Sequence, residues 1–212
     1  LKLLDIQVLA IPEIRIIRFA RFQDQRGYFT EHFRKSDLQT NALTEFMWGI
    51  DFLQANESYS RSGVMRGLHF QWNPYMGKLV RTLHGRMVDL VLDIRKGSPS
   101  FGKIVARDMP ARLTDAWNEW IWVPPGFAHG NFFLEDTSIE YFCSGEYSPS
   151  CEAAISPLAP DIDWSLCDSV LRERFQAVVQ AGPLITEKDR NAQSLHSWER
   201  DPRSDNFIYA RD

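Results

Sequence analysis

The eight residues Met87-Val88-Asp89-Leu90-Val91-Leu92-Asp93-Ile94 constrain this chain more than any others. The run is too apolar for a strand that leaves one side to water, yet it carries two carboxylates. Gly85 before it and Gly97-Ser98-Pro99 after it are turn signals, and the span between them is strand length. Side chains alternate along a strand, so Asp89 and Asp93, four residues apart, face the same side. Each is a candidate buried acid in need of a partner, with Arg95 or the following turn within reach of Asp93.

Short extended segments flank this run. Ile14–Phe19, Tyr28–Phe33, Lys78–His84, Phe101–Met109, Trp120–Val123, Phe127–Leu134 and Ser138–Ser144 each read as a strand, with Gly and Pro between many of them. Asp24–Gly27 reads as a turn, and Ser36–Asn41 as a short helix. Strands at this spacing predict an all-β sandwich or barrel rather than βαβ units. Leu166, Val170, Leu171, Phe175, Val178 and Val179 fall near helical spacing, and Gly182-Pro183 ends that run. The few peripheral helices are therefore mainly C-terminal. At roughly 150 residues per domain, 212 residues fit one β domain with an appendage. The division expected is a single domain over 1–197 and a polar tail with isolated aromatics over 198–212.

The net charge of −4 argues against a nucleic-acid protein held by a basic surface. Arginine outnumbers lysine 18 to 6, which keeps local anion sites open, because the guanidinium fork suits phosphate and carboxylate. Asp5, Pro12, Glu13 and Arg15 interrupt the apolar start, so neither a signal peptide nor a membrane span is expected there. Cys143, Cys151 and Cys167 match no zinc ribbon or CxxC motif and read as free thiols of a cytoplasmic protein.

Several constellations carry chemistry. In Arg66-Gly67-Leu68-His69-Phe70-Gln71, His69 and Gln71 share a strand face. In Pro124-Pro125-Gly126-Phe127-Ala128-His129-Gly130, a tight turn re-aims a strand and delivers His129 inward. The PxGxxH spacing resembles the second motif of cupin-type jelly rolls. Where metal-dependent cupins place HxH, this chain has His69-x-Gln71, and a neutral amide is a poor ligand for zinc, copper or iron. A cupin-shaped barrel with a metal-free cavity is the reading that follows. Lys78 begins a strand, and inside a barrel it would require an anion. Tyr141 and Tyr147 flank Cys143 and Gly145, and a tyrosine facing a polar cavity can donate a proton.

Eight segments in order extend the resemblance across most of the chain: RGYFTE (26–31), QANES (54–58), GVMRGLHFQ (63–71), GKLVR (77–81), DLVLDIRKGSPSFGK (89–103), PPGFAHG (124–130), YSPSCE (147–152) and TEKD (186–189). Together they resemble the nucleotide-sugar epimerases typified by the dTDP-4-dehydrorhamnose 3,5-epimerase family. The resemblance implies a cupin-like jelly roll, assembled as a homodimer with exchanged N-terminal strands. It implies His69 as general base, Asp189 as its partner, Tyr141 as proton donor, and Lys78 with His129 beside the sugar. It further implies that Arg26, Glu31, Gln54, Asn56, Arg66, Tyr147, Glu152 and Lys188 hold the nucleotide sugar, some across the dimer interface. The substrate it implies is a nucleoside-diphospho-4-keto-6-deoxyhexose inverted at C3, C5 or both, with no metal, redox cofactor or membrane involved.

The chain departs from the family pattern at three places. Glu146 stands where members carry the first tyrosine of a pair, which leaves CDP- and GDP-linked sugars beside thymidine ones. Ser156–Pro160 replaces a Trp-Asn-Asp stretch, and Asn131 replaces an apolar residue after AHG. Two other readings stand beside the epimerase. His69 and His129 would serve a metal-dependent cupin enzyme, a reading Gln71 weakens, and a non-catalytic nucleotide-sugar binding module would use the same pocket without the base and acid.

Overall fold

The computed structural model describes residues 1–209. Its frame is two antiparallel sheets stacked face to face. The larger sheet runs β1 (Leu3–Val8), β2 (Arg15–Ala20), β10 (Trp117–Val123), β7 (Lys78–His84), β12 (Thr137–Cys143) and β5 (Gln54–Ser60). The smaller runs β13 (Glu152–Ala154), β6 (Met65–Gln71), β11 (Phe127–Phe133), β8 (Arg86–Asp93) and β9 (Ile104–Pro110). A separate hairpin joins β3 (Phe22–Asp24) to β4 (Gly27–Phe29). The helices are α1 (Lys35–Thr40), α2 (Ser169–Gln180), α3 (Glu187–Arg190) and α4 (Leu195–Arg200), so most helical structure is C-terminal. This is a cupin-like jelly roll.

The central strands of both sheets are covered on both faces, which explains the unbroken apolar run of β8. Met87 and Val91 point into the space between the sheets with Val80, Ile121, Phe127 and Phe133. Val88, Leu90 and Leu92 point outward, beneath Phe175 of α2 and Leu195 and Trp198 of α4. The outer face of the larger sheet packs Ile17, Leu79, Trp120 and Trp122 against Leu38 of α1 and Met47. Fully burying side chains of this size stabilises by roughly 1.5–3 kcal/mol each, so the covering helices belong to the core.

Three expectations need correction. The strand expected over Tyr28–Phe33 stops at Phe29, because the chain then leaves the hairpin and Thr30 is captured by the sheet, donating to the Ala20 carbonyl and accepting from Asn118. The strand expected from Phe101 begins at Ile104, since Phe101 and Lys103 give their N–H groups to tight-turn bonds with Ser98 and Ser100. The division at 197/198 falls inside α4. Trp198 is fully buried, stacks edge-on against Phe70 at 4.6 Å, and shares its cluster with Phe207. Backbone bonds from Lys96 to Phe207 and from Tyr209 to Lys96 fix the segment, so 198–209 is part of the barrel's core. Residues 210–212 of the expected tail lie outside the described residues.

Candidate active site

The polar residues of the interior occupy a gap in the apolar layer between the sheets. Along β11 the inward positions are Phe127, His129, Asn131 and Phe133, so two polar side chains sit between two phenylalanines. Across from them, β12 contributes Tyr141 and Cys143, β7 contributes Lys78, and β5 contributes Gln54, Asn56 and Ser58. These groups line a cavity of about 660 Å3 and a narrower one of about 180 Å3 that share His69, Lys78, His129 and Tyr141.

Two backbones approach closely to make this arrangement. His129 pairs directly with His69, while the register slips before Asn131 meets Arg66. At Gly67, which has φ +108°, a Cβ would lie 2.6 Å from the Gly130 Cα. Only glycine fits both the contact and the dihedral. The histidines therefore stand side by side on neighbouring strands.

Each histidine has its own carboxylate. His69 Nε2 meets Asp189 Oδ1 at 2.7 Å. Asp189 arrives on α3, a single turn whose start is fixed by Thr186 accepting from the Asp189 N–H, and its second oxygen accepts from the Gly67 N–H. Burial works to raise the Asp189 carboxyl, but the His69 bond, the His69 charge, Gly67 and Thr186 outweigh it and hold it below the ordinary carboxylate range. An ionised carboxylate on Nε2 assigns the ring hydrogen there and leaves the lone pair on Nδ1. The second pair is His129 Nε2 with Asp89 Oδ2 at 2.8 Å, both buried.

Lys78 lies opposite Cys143 in the ladder between β7 and β12. Burial lowers its ammonium from the ordinary lysine value, against the pull of Cys143, Asp89 and Glu152. Burial, reinforced by Cys143, raises the Tyr141 hydroxyl, with Arg66 opposing. Among the described residues neither the Lys78 ammonium nor the Tyr141 hydroxyl has a hydrogen-bond partner, so both are free to meet a ligand.

Around this centre lies a polar rim. Glu152 accepts from the Tyr147 hydroxyl at 3.1 Å and from Lys188 at 2.9 Å. Gln54 accepts from the Tyr147 N–H and donates to Asn56, which in turn donates to Cys143 Sγ at 3.6 Å. Arg66 reaches Ser60 Oγ and the Tyr59 carbonyl while lining the larger cavity. Eleven of the residues expected from sequence thus surround one space: His69, Asp189, Tyr141, Lys78, Gln54, Asn56, Arg66, His129, Tyr147, Glu152 and Lys188. Arg26 and Glu31 are not among the residues that line these two cavities. Arg26 is exposed at the tip of the β3–β4 hairpin and pairs with Asp24 at 3.1 Å, and Glu31 pairs with Arg34 at 2.7 Å and with the Leu1 amino group.

Gln71 has a role that residue type alone did not reveal. Its buried amide donates to the carbonyls of Pro74 and Glu146 at 2.9 and 3.0 Å, and accepts from the Ser148 N–H at 2.7 Å. The residue at the second ligand position of a metal cupin's HxH is here fully engaged in tying two loops to the strand of His69. Among the described residues, no group of three or more His, Cys, Asp and Glu side chains is placed to hold a metal ion. His129 is the partner that the buried carboxylate of Asp89 requires.

Comparison with known proteins places this geometry. The family model described as dTDP-4-dehydrorhamnose 3,5-epimerase matches residues 8–197. The chain belongs to the dTDP-4-dehydrorhamnose 3,5-epimerase family. It is 36% identical over 195 residues to the dTDP-4-dehydrorhamnose 3,5-epimerase of Methanothermobacter thermautotrophicus, covering 91% of each chain. It superposes on the dTDP-6-deoxy-D-glucose-3,5-epimerase RmlC of Legionella pneumophila, in complex with dTDP-4-keto-L-rhamnose, with a TM-score of 0.79, 30% identity, and coverage of 98% of this chain and 99% of that one. Another family-like structure is ChmJ, a 3'-monoepimerase from Streptomyces bikiniensis in complex with dTDP-quinovose, with a TM-score of 0.74 at 27% identity, covering 92% and 89%. No helix of the described residues is long and apolar enough to cross a membrane.

Proposed function

We propose that this epimerase-family chain acts on a dTDP-linked 4-keto-6-deoxyhexose, inverting C3, C5 or both. The observation that carries the reading is the His69–Asp189 dyad lining the same cavity as an unpartnered phenol and an unpartnered ammonium. The C4 ketone acidifies the hydrogens on C3 and C5. His69 Nδ1 removes one of them, and the carbon–hydrogen electrons pass into an enolate on the C4 oxygen. Asp189 fixes the ring and stabilises the imidazolium as it forms, as a triad aspartate does. Lys78, a fixed cation in the cavity wall, opposes the enolate charge. Tyr141 gives a proton to the other face, which inverts the centre, and solvent restores both groups. Arg66 and Lys188 offset the diphosphate charge, with Gln54, Asn56, Tyr147, Glu152 and His129 placing the rest of the ligand.

The active form in this reading is a homodimer with exchanged N-terminal strands. Since β1 and β2 are already paired in their own sheet, the β3–β4 hairpin is the part available to cross, carrying Arg26 and, just beyond it, Glu31 toward the partner's cavity. The free thiols Cys143, Cys151 and Cys167 fit work in the reducing cytoplasm.

The test is incubation with dTDP-4-keto-6-deoxyglucose in deuterated water, followed by NMR. Deuterium at C3 or C5 is expected, abolished by His69→Ala. Tyr141→Phe is expected to retain exchange while losing net inversion. No exchange by the wild-type enzyme, or undiminished exchange by His69→Ala, overturns the reading.

A further inference from the structure

We propose that Asn131 is a specificity-determining residue that reads the C2 hydroxyl of the sugar. The inference rests on the function proposed above and adds a contact to the same cavity. Asn131 is 4% exposed and lines the larger chamber beside His129. Its Oδ1 is buried without a hydrogen-bond partner. Among the described residues its Nδ2 reaches only the Met87 thioether, at 4.0 Å, and thioether sulfur is a weak acceptor. Directly across the ladder sits Asp89, whose Oδ1 is also buried and unpartnered while Oδ2 is held by His129. Buried polar groups are nearly always satisfied, and leaving one unmade is costly. Asp89 itself lines neither cavity, so the amide of Asn131, in the wall of the larger chamber, is the group that a ligand completes.

The chemistry narrows what completes it. A phosphate brings only acceptors and negative charge, which Asp89 and the Asn131 carbonyl both disfavour. The ketone oxygen also brings only acceptors and is the group that Lys78 suits. A hydroxyl both donates and accepts, matching an amide that does the same. Of the two ring hydroxyls, the one on C3 swings to the other face when that centre inverts. A side chain packed between Phe127 and Phe133 on a central strand does not follow such a swing. The C2 hydroxyl stays in place throughout, so it is the group a fixed amide can hold from substrate to product.

The experiment compares dTDP-4-keto-6-deoxyglucose with its 2-deoxy-2-fluoro analogue, which keeps the size but cannot donate. Both are offered to the wild type, to Asn131→Leu and to Asn131→Ala, reading kcat/KM by deuterium exchange and Kd by calorimetry. The two variants share the fluorine's effect on C3 acidity with the wild type, so the ratio of ratios isolates the contact. A site built to bond a hydroxyl rejects an analogue without its donor strongly, and a preference about 100-fold greater in the wild type than in either variant is expected. Equal preference in all three proteins overturns the proposal and assigns the two oxygens to trapped water. Absence of exchange with discriminating binding that the variants lose would sink the epimerase reading and leave the Asn131 contact standing.

Discussion

Asp89 and Asp93 lie on one strand, face one direction and are both completely buried, yet their surroundings are opposite. Asp93 accepts five hydrogen bonds: from the Arg95 N–H, Nε and Nη2, and from the hydroxyls of Ser98 and Ser100. Burial would raise its carboxyl, but these donors outweigh it and hold it below the ordinary range. Asp89 has His129 on one oxygen and nothing on the other. The Asp93 end of the barrel spends its buried charge on closing the β8–β9 connection. The Asp89 end keeps polar capacity in reserve behind His129, which lines the cavity that holds an uncommitted ammonium and phenol. Two acids separated by four residues thus mark the border between scaffold and chemistry.

The largest effect expected is on the scaffold side. Asp93→Ala leaves the largely buried Arg95 with Glu13, at 2.6 Å, as its one acidic partner among the described residues. Removing one partner of a buried pair costs about 3–5 kcal/mol. Urea denaturation should show that loss, with turnover per folded molecule within about twofold of wild type. The pH dependence has a definite sign. Asp93 has its carboxyl depressed on folding, so its stabilisation is complete above the unfolded carboxylate pKa and fades as pH falls through the folded value. Asp93→Ala should flatten the wild-type loss of stability in that acid window. Equal acid sensitivity in the two proteins would break the contrast between the two acids.

Asp89→Asn probes the other end. One charged hydrogen bond to His129 is removed at nearly constant volume, in a place already short of partners. Such a bond is worth about 1.5 kcal/mol, so kcat/KM should fall about tenfold, with a stability loss in urea of no more than about that 1.5 kcal/mol. A large loss of stability with unchanged turnover would make Asp89 a second scaffold acid. Gln71→Leu should do less to the chemistry. It frees the loops that carry Pro74, Glu146 and Ser148 from the His69 strand, so KM should rise about fivefold, the scale of one or two neutral hydrogen bonds, with kcat nearly retained. A fall in kcat at constant KM would show that Gln71 acts on the base itself.

What could be read from the sequence follows the same division. β8, β7, β11 and β12 were legible because local apolar patterns and Gly-Pro turns define them. β5 was missed, since Gln54, Asn56 and Ser58 point inward and leave no apolar period to detect. Asp93's attachment to Arg95 was legible at two residues' distance. Asp89's attachment to His129 was not, because it depends on the register of strands forty residues apart. Trp198 and Phe207 looked like stray aromatics, as a short terminal segment can plug a core without any periodicity. The reactive groups of the cavity were named through ordered family motifs. The free ends on Asn131 and Asp89 needed coordinates.

The smallest effect is one of pH. Burial lowers the Lys78 ammonium from the ordinary lysine value and raises the Tyr141 hydroxyl from the ordinary tyrosine value. Lys78 must be protonated to oppose the enolate, and Tyr141 must be protonated to return a hydrogen. Burial thus favours earlier loss of the lysine proton and later loss of the tyrosine proton as pH rises than either free side chain would show. The alkaline limb of kcat/KM should begin lower than an exposed lysine would allow, and Lys78→Arg, slower throughout, should lose that limb because a guanidinium does not titrate there. Persistence of the limb at an unchanged pH in Lys78→Arg would transfer it to Tyr141. The reserve of the cavity would then lie in its phenol rather than its ammonium, and the enolate would need a different counter-charge.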